Sequence, residues 1–400
     1  MTFLCISLYF KGTDFLKACN AAGHTVYLLT KKSLEDSPWP RESLADIFYL
    51  TSEANTPQNF ESMTKGLAWL LQDRKIDRIV ALDDFDVEKA AMLREEFRIP
   101  GMGQTTARYF RDKLAMRMRA AEAGVPVPPF SALFNNDAVN HYADTVAPPW
   151  VVKPRSEASA TGIRKVDNKE QLWEVINSLG DERHRFLVEQ FIPGNVYHVD
   201  ALSQDAKIIF CQVSKYLNTP FEVAHGGGIF RSQTVAYGSE DDQQLQAFTK
   251  QVMDAFGLVA SASHTEFIKG QADGKFYFLE TSSRVGGAHL AEMVEVASGI
   301  NLWAEWARLE SAMLRKETYQ LPPVRQTHAG ILISLARFEH PDTSDFKDQE
   351  IVWRLQKPHH VGFILRSDDQ DRISSLLEDY AHRVYEQFHA TAPIRDKPTD

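Results

Sequence analysis

The sequence predicts an α/β protein with α+β lobes in its later part. Strand and helix signals alternate over residues 1–100, which favours a parallel sheet covered by helices. Residues 264–280 show the pattern of a β-hairpin, and 400 residues are too many for one small core. In the N-terminal and C-terminal parts of the chain, the predicted strands are 3–10, 25–30, 78–82, 329–336, 350–354 and 361–365. The predicted helices there are 13–22, 60–72, 87–97 and 369–388.

Composition narrows the class of protein. Apolar residues make up 44% of the chain and charged residues 24%, as in ordinary globular proteins. The formal net charge of -10 argues against a nucleic-acid-binding surface as the main function. The apolar run 3–10 is too short to span a membrane. Three scattered cysteines without metal-ligand spacing favour a reducing, cytoplasmic setting.

The predicted hairpin carries two glutamates. Glu266 and Glu280 are an even number of residues apart, so pairing across the turn places both carboxylates on one face. Ile268, Phe276 and Phe278 are predicted to share that face, which makes it at least partly buried. Two carboxylates held together there repel each other unless a positive charge lies between them.

A hard divalent cation is the simplest such charge, because magnesium takes oxygen ligands from carboxylates, phosphates and water. Arg284 follows the second strand and could face the same charged group, while Gly286 and Gly287 allow close backbone approach. This arrangement is typical of phosphoryl transfer. A hairpin with two solvated glutamates at a sheet edge is the alternative interpretation.

Two lysines occupy positions from which a side chain can reach phosphate groups. Lys113 opens a predicted helix over 111–123, where a lysine is usually only solvated. Lys153 ends a predicted strand over 150–154, and small and hydroxyl residues follow it at 155–162. Such a loop can place backbone amides and hydroxyls over phosphates. It lacks the Gly-Lys-Ser/Thr ending of a Walker loop.

Glu189 lies on a predicted strand over 185–191 and could stand beside an adenine edge. His198 shares a strand face with Asp200, two residues farther on. The alternative interpretation is that Glu189 and His198 are ordinary strand residues.

Two loops are open to more than one interpretation. The loop 221–228 contains three consecutive glycines and leads to Arg231, so it could close over a ligand or simply be exposed. Asp83, Asp84 and Asp86 follow a strand at the edge where open α/β sheets bind ligands. A solvated turn with a helix N-cap is the preferred interpretation of these aspartates.

In their order and spacing, these residues resemble the ATP-grasp superfamily over roughly residues 1–320. The chain looks most similar to the carboxylate-amine ligases typified by bacterial L-amino acid ligases, and more distantly to biotin carboxylases. The closer match lies in segments 111–113, 152–155, 222–225, 264–267 and 280–287. The resemblance implies an ATP-grasp fold with an N-terminal Rossmann-like domain at 1–110, a linker helix and lid at 111–195, a body with the metal site at 196–322, and a C-terminal α/β subdomain at 323–400.

The resemblance also implies ATP as a substrate and Mg²⁺ as the metal, with Mn²⁺ as an alternative. The implied ATP contacts are Lys113 and Lys153 at the phosphates, Ser156, Ser159, Thr161 and Gly162 in the loop above them, Glu189, Gln190, Phe191 and Ile192 at the adenine and ribose, and His198 as a weaker ribose contact. The implied metal ligands are Glu266, Glu280 and Ser282, and Ser282 stands where the family commonly has asparagine. The implied catalytic residues are Arg284, which would steady an acyl phosphate, and His225 and Arg231 near the substrate carboxylate.

The implied activity is ATP-dependent formation of an amide from a carboxylate and an amine, with an acyl phosphate as intermediate. The implied partners are small molecules, with amino acids expected, and neither nucleic acid nor membrane; a homodimer is left open. Biotin carboxylase-like activation of a carboxylate is one alternative. A nucleotide-binding regulatory module without turnover is another, because Ser282 replaces the usual asparagine.

Overall fold

The computed structural model describes residues 1–51, 57–157, 162–219, 223 and 227–391. Their strands form three sheets of four, eight and four strands, with helices packed against them. The predicted combination of an α/β unit with α+β lobes is confirmed. Within the described ranges no helix has the length and apolar character needed to cross a membrane. All three cysteines are unpaired.

The N-terminal sheet is parallel throughout, as predicted from the alternating pattern. Its first strand ends at Ile6 and not at residue 10, and a strand over Asp46–Leu50 was not predicted. Both faces of the sheet are covered by apolar cores, which explains the continuous apolar run at the start of the chain. The strands are β1 (Thr2–Ile6), β2 (Thr25–Lys31), β3 (Asp46–Leu50) and β4 (Arg78–Ala81), in the order β3-β2-β1-β4, and the helices are α1 (Thr13–Ala21), α2 (Pro57–Leu70), α3 (Val87–Glu96) and α4 (Gln104–Arg108).

A small antiparallel sheet, which we call the lid sheet, follows helix α5 (Lys113–Glu122). Its core is built around Trp150 and Val152, which pack against two helices. The strands are β5 (Phe130–Ala132), β6 (Trp150–Pro154), β7 (Arg164–Val166) and β8 (Phe186–Gln190), in the order β5-β8-β6-β7, and the helices are α6 (Asn136–Thr145) and α7 (Lys169–Leu179).

The large sheet has eight antiparallel strands and includes the C-terminal segment of the chain. It contains β9 (Gly194–Gln204), β10 (Lys207–Tyr216), β11 (Phe230–Thr234), β12 (Ser261–Gly270), β13 (Phe276–Ser282), β14 (His328–Leu335), β15 (Ile351–Arg354) and β16 (His360–Ser367), in the order β13-β12-β9-β10-β11-β14-β16-β15. Its helices are α8 (Glu240–Phe256), α9 (Leu290–Ser298), α10 (Leu302–Arg315) and α11 (Gln370–Gln387). The sheet therefore joins residues far apart in the chain, because β14 pairs with β11.

Candidate active site

Glu266 and Glu280 are direct neighbours across the hairpin of β12 and β13. The register changes next to them, because Phe267 pairs with Phe278 and leaves Leu279 as an extra residue on β13. This bulge interrupts the alternation of side chains along β13. Leu279 and Glu280 consequently both line one cavity, together with Glu266.

The bulge overturns one prediction. Phe276 and Phe278 were expected on the face of the glutamates, but both pack with Phe267 in the core on the other side of the sheet. Ile268 does line the cavity beside Glu266, as predicted. The two-residue alternation of a β-strand therefore predicted the correct pairing partner for Glu280, but the wrong face of the sheet for Phe276 and Phe278.

A cavity of about 790 Å³ lies between the lid sheet and the β12–β13 hairpin. This volume is in the range of small-molecule sites. The lid contributes residues of β6 and β8, and the hairpin contributes both glutamates. The residues singled out in the sequence that line it are Lys113, Lys153, Glu189, Gln190, Phe191, Ile192, Glu266 and Glu280.

Lys113 is fixed at the start of helix α5 and reaches the hairpin. Its ammonium group contacts Glu280 Oε2 at 2.6 Å and donates a hydrogen bond to the backbone carbonyl of Glu157, also at 2.6 Å. Asp112 caps the helix by accepting bonds from backbone N–H groups and forms an ion pair with Arg155 of the lid. Lys113 therefore contacts both the lid and the hairpin from the start of helix α5.

Lys153 forms a buried ion pair with Glu189 on the neighbouring lid strand. Burial lowers the pKa of Lys153, and although Glu189 raises it, the pKa falls to about 8. Burial raises the pKa of the Glu189 carboxyl, but Arg117 and Lys153 outweigh this effect and lower it. Lys153 is therefore a cation at the cavity wall, and its charge depends on the groups around it.

Arg117 is a site residue that sequence reasoning missed. Its Nε donates to Glu189 Oε2 at 2.9 Å, and its Nη1 donates to the carbonyl of Leu279, the extra residue of the bulge. The side chain is fully buried. Arg117 is four residues after Lys113 on α5, so the two share a helix face, and a second cation on that face was the available signal.

The residues present fit a divalent cation. Glu266 and Glu280 offer carboxylate oxygens side by side, which is the donor type that magnesium and manganese prefer. Ser282 is buried, and its hydroxyl has no hydrogen-bond partner among the described residues. Burial raises the pKa of Glu280, but Lys113 outweighs burial and lowers it, which keeps the carboxylate charged.

His198 and Arg231 do not line this cavity. His198 is fully buried in β9, where Nδ1 contacts Asp200 Oδ2 at 2.8 Å and Nε2 contacts Ser232 Oγ at 2.7 Å. Arg231 donates from Nη2 to Asn218 Oδ1 at 2.8 Å. Both side chains bond to protein partners, and neither contributes to the cavity wall.

The small-residue loop after Lys153 is described only in part. Ser156 accepts a bond from Arg111 through its backbone carbonyl, and Gly162 lies against Pro154. Neither Ser156 nor Gly162 lines the cavity. Ser159, Thr161 and His225, which the resemblance also assigns to the site, fall outside the described residues.

Arg284 connects the end of the hairpin to the N-terminal domain. It forms an ion pair with Asp84, at the carboxyl end of β4, and donates from Nη1 to the carbonyl of Val285 at 2.8 Å. Burial raises the pKa of the Asp84 carboxyl, but Arg284 reverses this and lowers the pKa to about 2. Arg284 Nε and Asp84 Oδ1 are buried without hydrogen-bond partners among the described residues.

The preferred interpretation of the aspartates after β4 is wrong in part. Asp83 does cap a short 3-10 helix, accepting a bond from the N–H of Phe85 at 3.1 Å. Asp83, Asp84 and Asp86 are all buried, so the turn is not solvated. Burial raises the pKa of Asp86 to about 6. The edge of the parallel sheet is thus packed against the hairpin end, and Asp84 belongs to the surroundings of Arg284.

The cavity between the lid sheet and the hairpin thus brings two lysines and a pair of adjacent glutamates together, an arrangement that suits phosphate groups with a divalent cation. Residues 110–288 match the model of the ATP-grasp domain. The chain therefore carries an ATP-grasp domain, in agreement with the resemblance seen in the sequence.

Individual relatives agree with this assignment. The chain is 25% identical over 267 residues to the L-arginine-specific L-amino acid ligase of Bacillus subtilis, a match that covers 64% of this chain and 63% of the relative. It is 24% identical over 283 residues to the D-alanine–D-alanine ligase of Pseudoalteromonas atlantica, covering 66% of this chain and 85% of the relative. The chain thus matches less than two thirds of the length of the first of these ligases.

Similarity in three dimensions extends over nearly the whole chain. The crystal structure of an L-amino acid ligase from Bacillus licheniformis superposes with a TM-score of 0.73, covering 97% of this chain and 98% of that one at 18% identity. At this identity the likeness shows the fold alone. It includes the N-terminal sheet and the C-terminal strands, which lie outside the matched domain.

Proposed function

We propose that this protein is an ATP-dependent ligase that joins a carboxylate to an amine, with amino acids as substrates. The observation that carries the proposal is the cavity itself, in which two lysines face two adjacent glutamates. Cations suited to phosphate oxygens and carboxylates suited to a divalent metal are what phosphoryl transfer from ATP requires. The ligases to which the chain is similar support the choice of amide formation.

In this proposal the substrate carboxylate oxygen attacks the γ-phosphorus of ATP. The bond from that phosphorus to the β-phosphate oxygen breaks, which gives an acyl phosphate and ADP. The amine nitrogen then attacks the acyl carbon, the carbon–oxygen bond to phosphate breaks, and the amine loses a proton. The products are an amide, ADP and phosphate.

The residues of the cavity bind and orient and do not form covalent bonds with substrate. Lys113 and Lys153 hold phosphate oxygens, and Glu189 keeps Lys153 in place. Glu266 and Glu280 would hold the metal, with Ser282 as a neutral third ligand. When bound, the metal neutralises charge on the phosphates during transfer.

Arg284 is the proposed contact for the acyl phosphate. Its ion pair with Asp84 fixes one end of the guanidinium group, while Nε has no hydrogen-bond partner among the described residues. A buried donor of this kind can stabilise an oxyanion. Arg231 is not retained in the proposal, because it bonds to Asn218 and to the Leu377 carbonyl and does not line the cavity.

The test is release of ADP and phosphate from magnesium-ATP in the presence of pooled amino acids, followed by mass spectrometry of active pools. The proposal expects one molecule of condensed product for each ADP formed, and an at least about 100-fold loss of ADP release in a folded Glu280→Gln variant. A pool of bicarbonate and free biotin serves as the control for carboxylase chemistry. ATP binding without ADP release from any pool would refute the ligase and favour a nucleotide-binding module.

A further inference from the structure

A line of polar side chains, all buried except the slightly exposed His264, crosses the large sheet beside Glu266. Tyr216 donates its hydroxyl to Glu266 Oε1 at 2.9 Å, and His264 Nε2 lies 3.5 Å from the same oxygen. His264 Nδ1 contacts Asp200 Oδ1 at 2.8 Å, and His198 Nδ1 contacts the other Asp200 oxygen at 2.8 Å. We call Tyr216, His264, Asp200 and His198 the Glu266 network. It connects strands β10, β12 and β9.

The geometry of the Glu266 network is that of hydrogen bonds and not of a metal site. Asp200 and two histidines could in principle share an ion, since their ligand atoms lie within 4.8 Å of one another. Each imidazole Nδ1, however, meets a different oxygen of Asp200 at a hydrogen-bond distance. Both carboxylate oxygens are thereby used as acceptors, so the network holds side chains in place.

Gly286 lies against the same network. A Cβ atom at this position would come within 2.9 Å of both Asp200 Oδ1 and His264 Nδ1. The backbone two residues after Arg284 therefore rests on the pair of His264 and Asp200. The Glu266 network therefore contacts both the carboxylate proposed to bind metal and the turn that follows Arg284.

We propose that Tyr216 and His264 are positioning residues that hold Glu266 in one orientation for metal binding. The inference rests on the proposed function, since it concerns the same metal site. Tyr216 and His264 contact Oε1, and the other carboxylate oxygen has no hydrogen-bond partner in the part of the chain that the structure describes, which leaves it to coordinate a metal. A carboxylate fixed in this way loses little further conformational entropy when the metal binds. Hydrogen-bond partners of ligating groups commonly contribute about 10- to 100-fold to metal affinity.

The experiment compares two tyrosine-to-phenylalanine variants by Mn²⁺ binding in the presence of ADP, measured from the paramagnetic resonance signal of free Mn²⁺. Tyr216→Phe removes only the hydroxyl that bonds to Glu266. Tyr197→Phe is the matched control, because Tyr197 is a buried tyrosine of the same sheet that donates to Asp241 at 2.9 Å. We expect Tyr216→Phe to weaken Mn²⁺ binding about tenfold or more. Metal-free ADP binding should stay unchanged in both variants.

Equal Mn²⁺ affinity in Tyr216→Phe and in the wild type would overturn the inference. If the wild type itself binds no Mn²⁺ with ADP, the proposed function fails instead, and the two failures are distinct. His264→Asn is the second variant if Tyr216→Phe does not fold, since asparagine keeps an N–H donor for Asp200 and removes Nε2. Weaker Mn²⁺ binding in the control Tyr197→Phe would also contradict a specific role for the network.

Discussion

Replacing Arg117 with leucine tests whether one side chain holds the lid and the hairpin to helix α5. Arg117 is fully buried and bonds to Glu189 of the lid and to the carbonyl of Leu279 in the hairpin. Leucine fills part of the space but supplies no donor. Lys153 is then left to neutralise Glu189, and the Leu279 carbonyl loses its bond.

The expected decrease in the free energy of unfolding follows from these contacts. Removing one partner of a buried ion pair costs about 3–5 kcal/mol, and an unsatisfied buried carbonyl costs about 1–3 kcal/mol. Because Lys153 still pairs with Glu189, we expect a total of about 3–4 kcal/mol. Unfolding entropy of about 2.1 cal/mol/K per residue converts this loss over 400 residues into a Tm lower by about 4 °C, if the chain unfolds as one unit.

The assay is calorimetric unfolding together with titration of ATP, and the matched control is Arg119→Leu. Arg119 lies on the same helix, donates to Ala255 at 2.7 Å and is 42% exposed, so its loss should cost less than about 1 kcal/mol. ATP affinity should fall only in Arg117→Leu, because that change removes one of the two cations that hold Glu189 and the donor that holds the bulge next to Glu280. If the two variants are equally stable and bind ATP equally well, the reasoning about Arg117 is refuted.

Three further predictions concern the cavity and the turn beside it. Glu280→Gln should reduce ADP release at least about 100-fold with an unchanged circular dichroism spectrum, and activity near the wild-type rate would exclude Glu280 as a metal ligand. Because Lys153 has a pKa of about 8, it loses its charge as pH rises through that value, so metal-free ATP affinity should fall between about pH 7 and 9. The same titration with Lys153→Met should be flat, and an equal fall in that variant would assign the effect to another group. Gly286→Ala should lower stability by about 1–3 kcal/mol in urea unfolding, since its Cβ would meet Asp200 and His264 at 2.9 Å, and a wild-type midpoint would contradict this contact.

Sequence periodicity located the elements of the site well, because each carries a strong local signal. The hairpin, the helix that opens at Lys113 and the strand that ends at Lys153 all lie within a few residues of their predicted positions. The face occupied by Phe276 and Phe278 was predicted wrongly. One extra residue at Leu279 reverses the alternation, and a bulge leaves no mark in a pattern of apolar residues.

Contacts between distant segments were beyond sequence reasoning. Asp84 was taken for a solvated turn residue, since nothing near it in the chain shows that Arg284 will neutralise it. Tyr216 was not considered, because β10 was not among the predicted strands. Burial of charged groups depends on which cation arrives from elsewhere in the fold, and a single sequence does not encode that locally.

The pairing of β11 with β14 has a consequence for folding during synthesis on the ribosome. Phe230 pairs with Ile333, so at about 5–20 residues per second the ribosome needs about 5–20 s to supply the missing neighbour. During that interval β11 presents an unpaired edge, the kind of surface that associates with other nascent strands. A fragment cut at the limits of the matched domain, 110–288, would keep that open edge permanently.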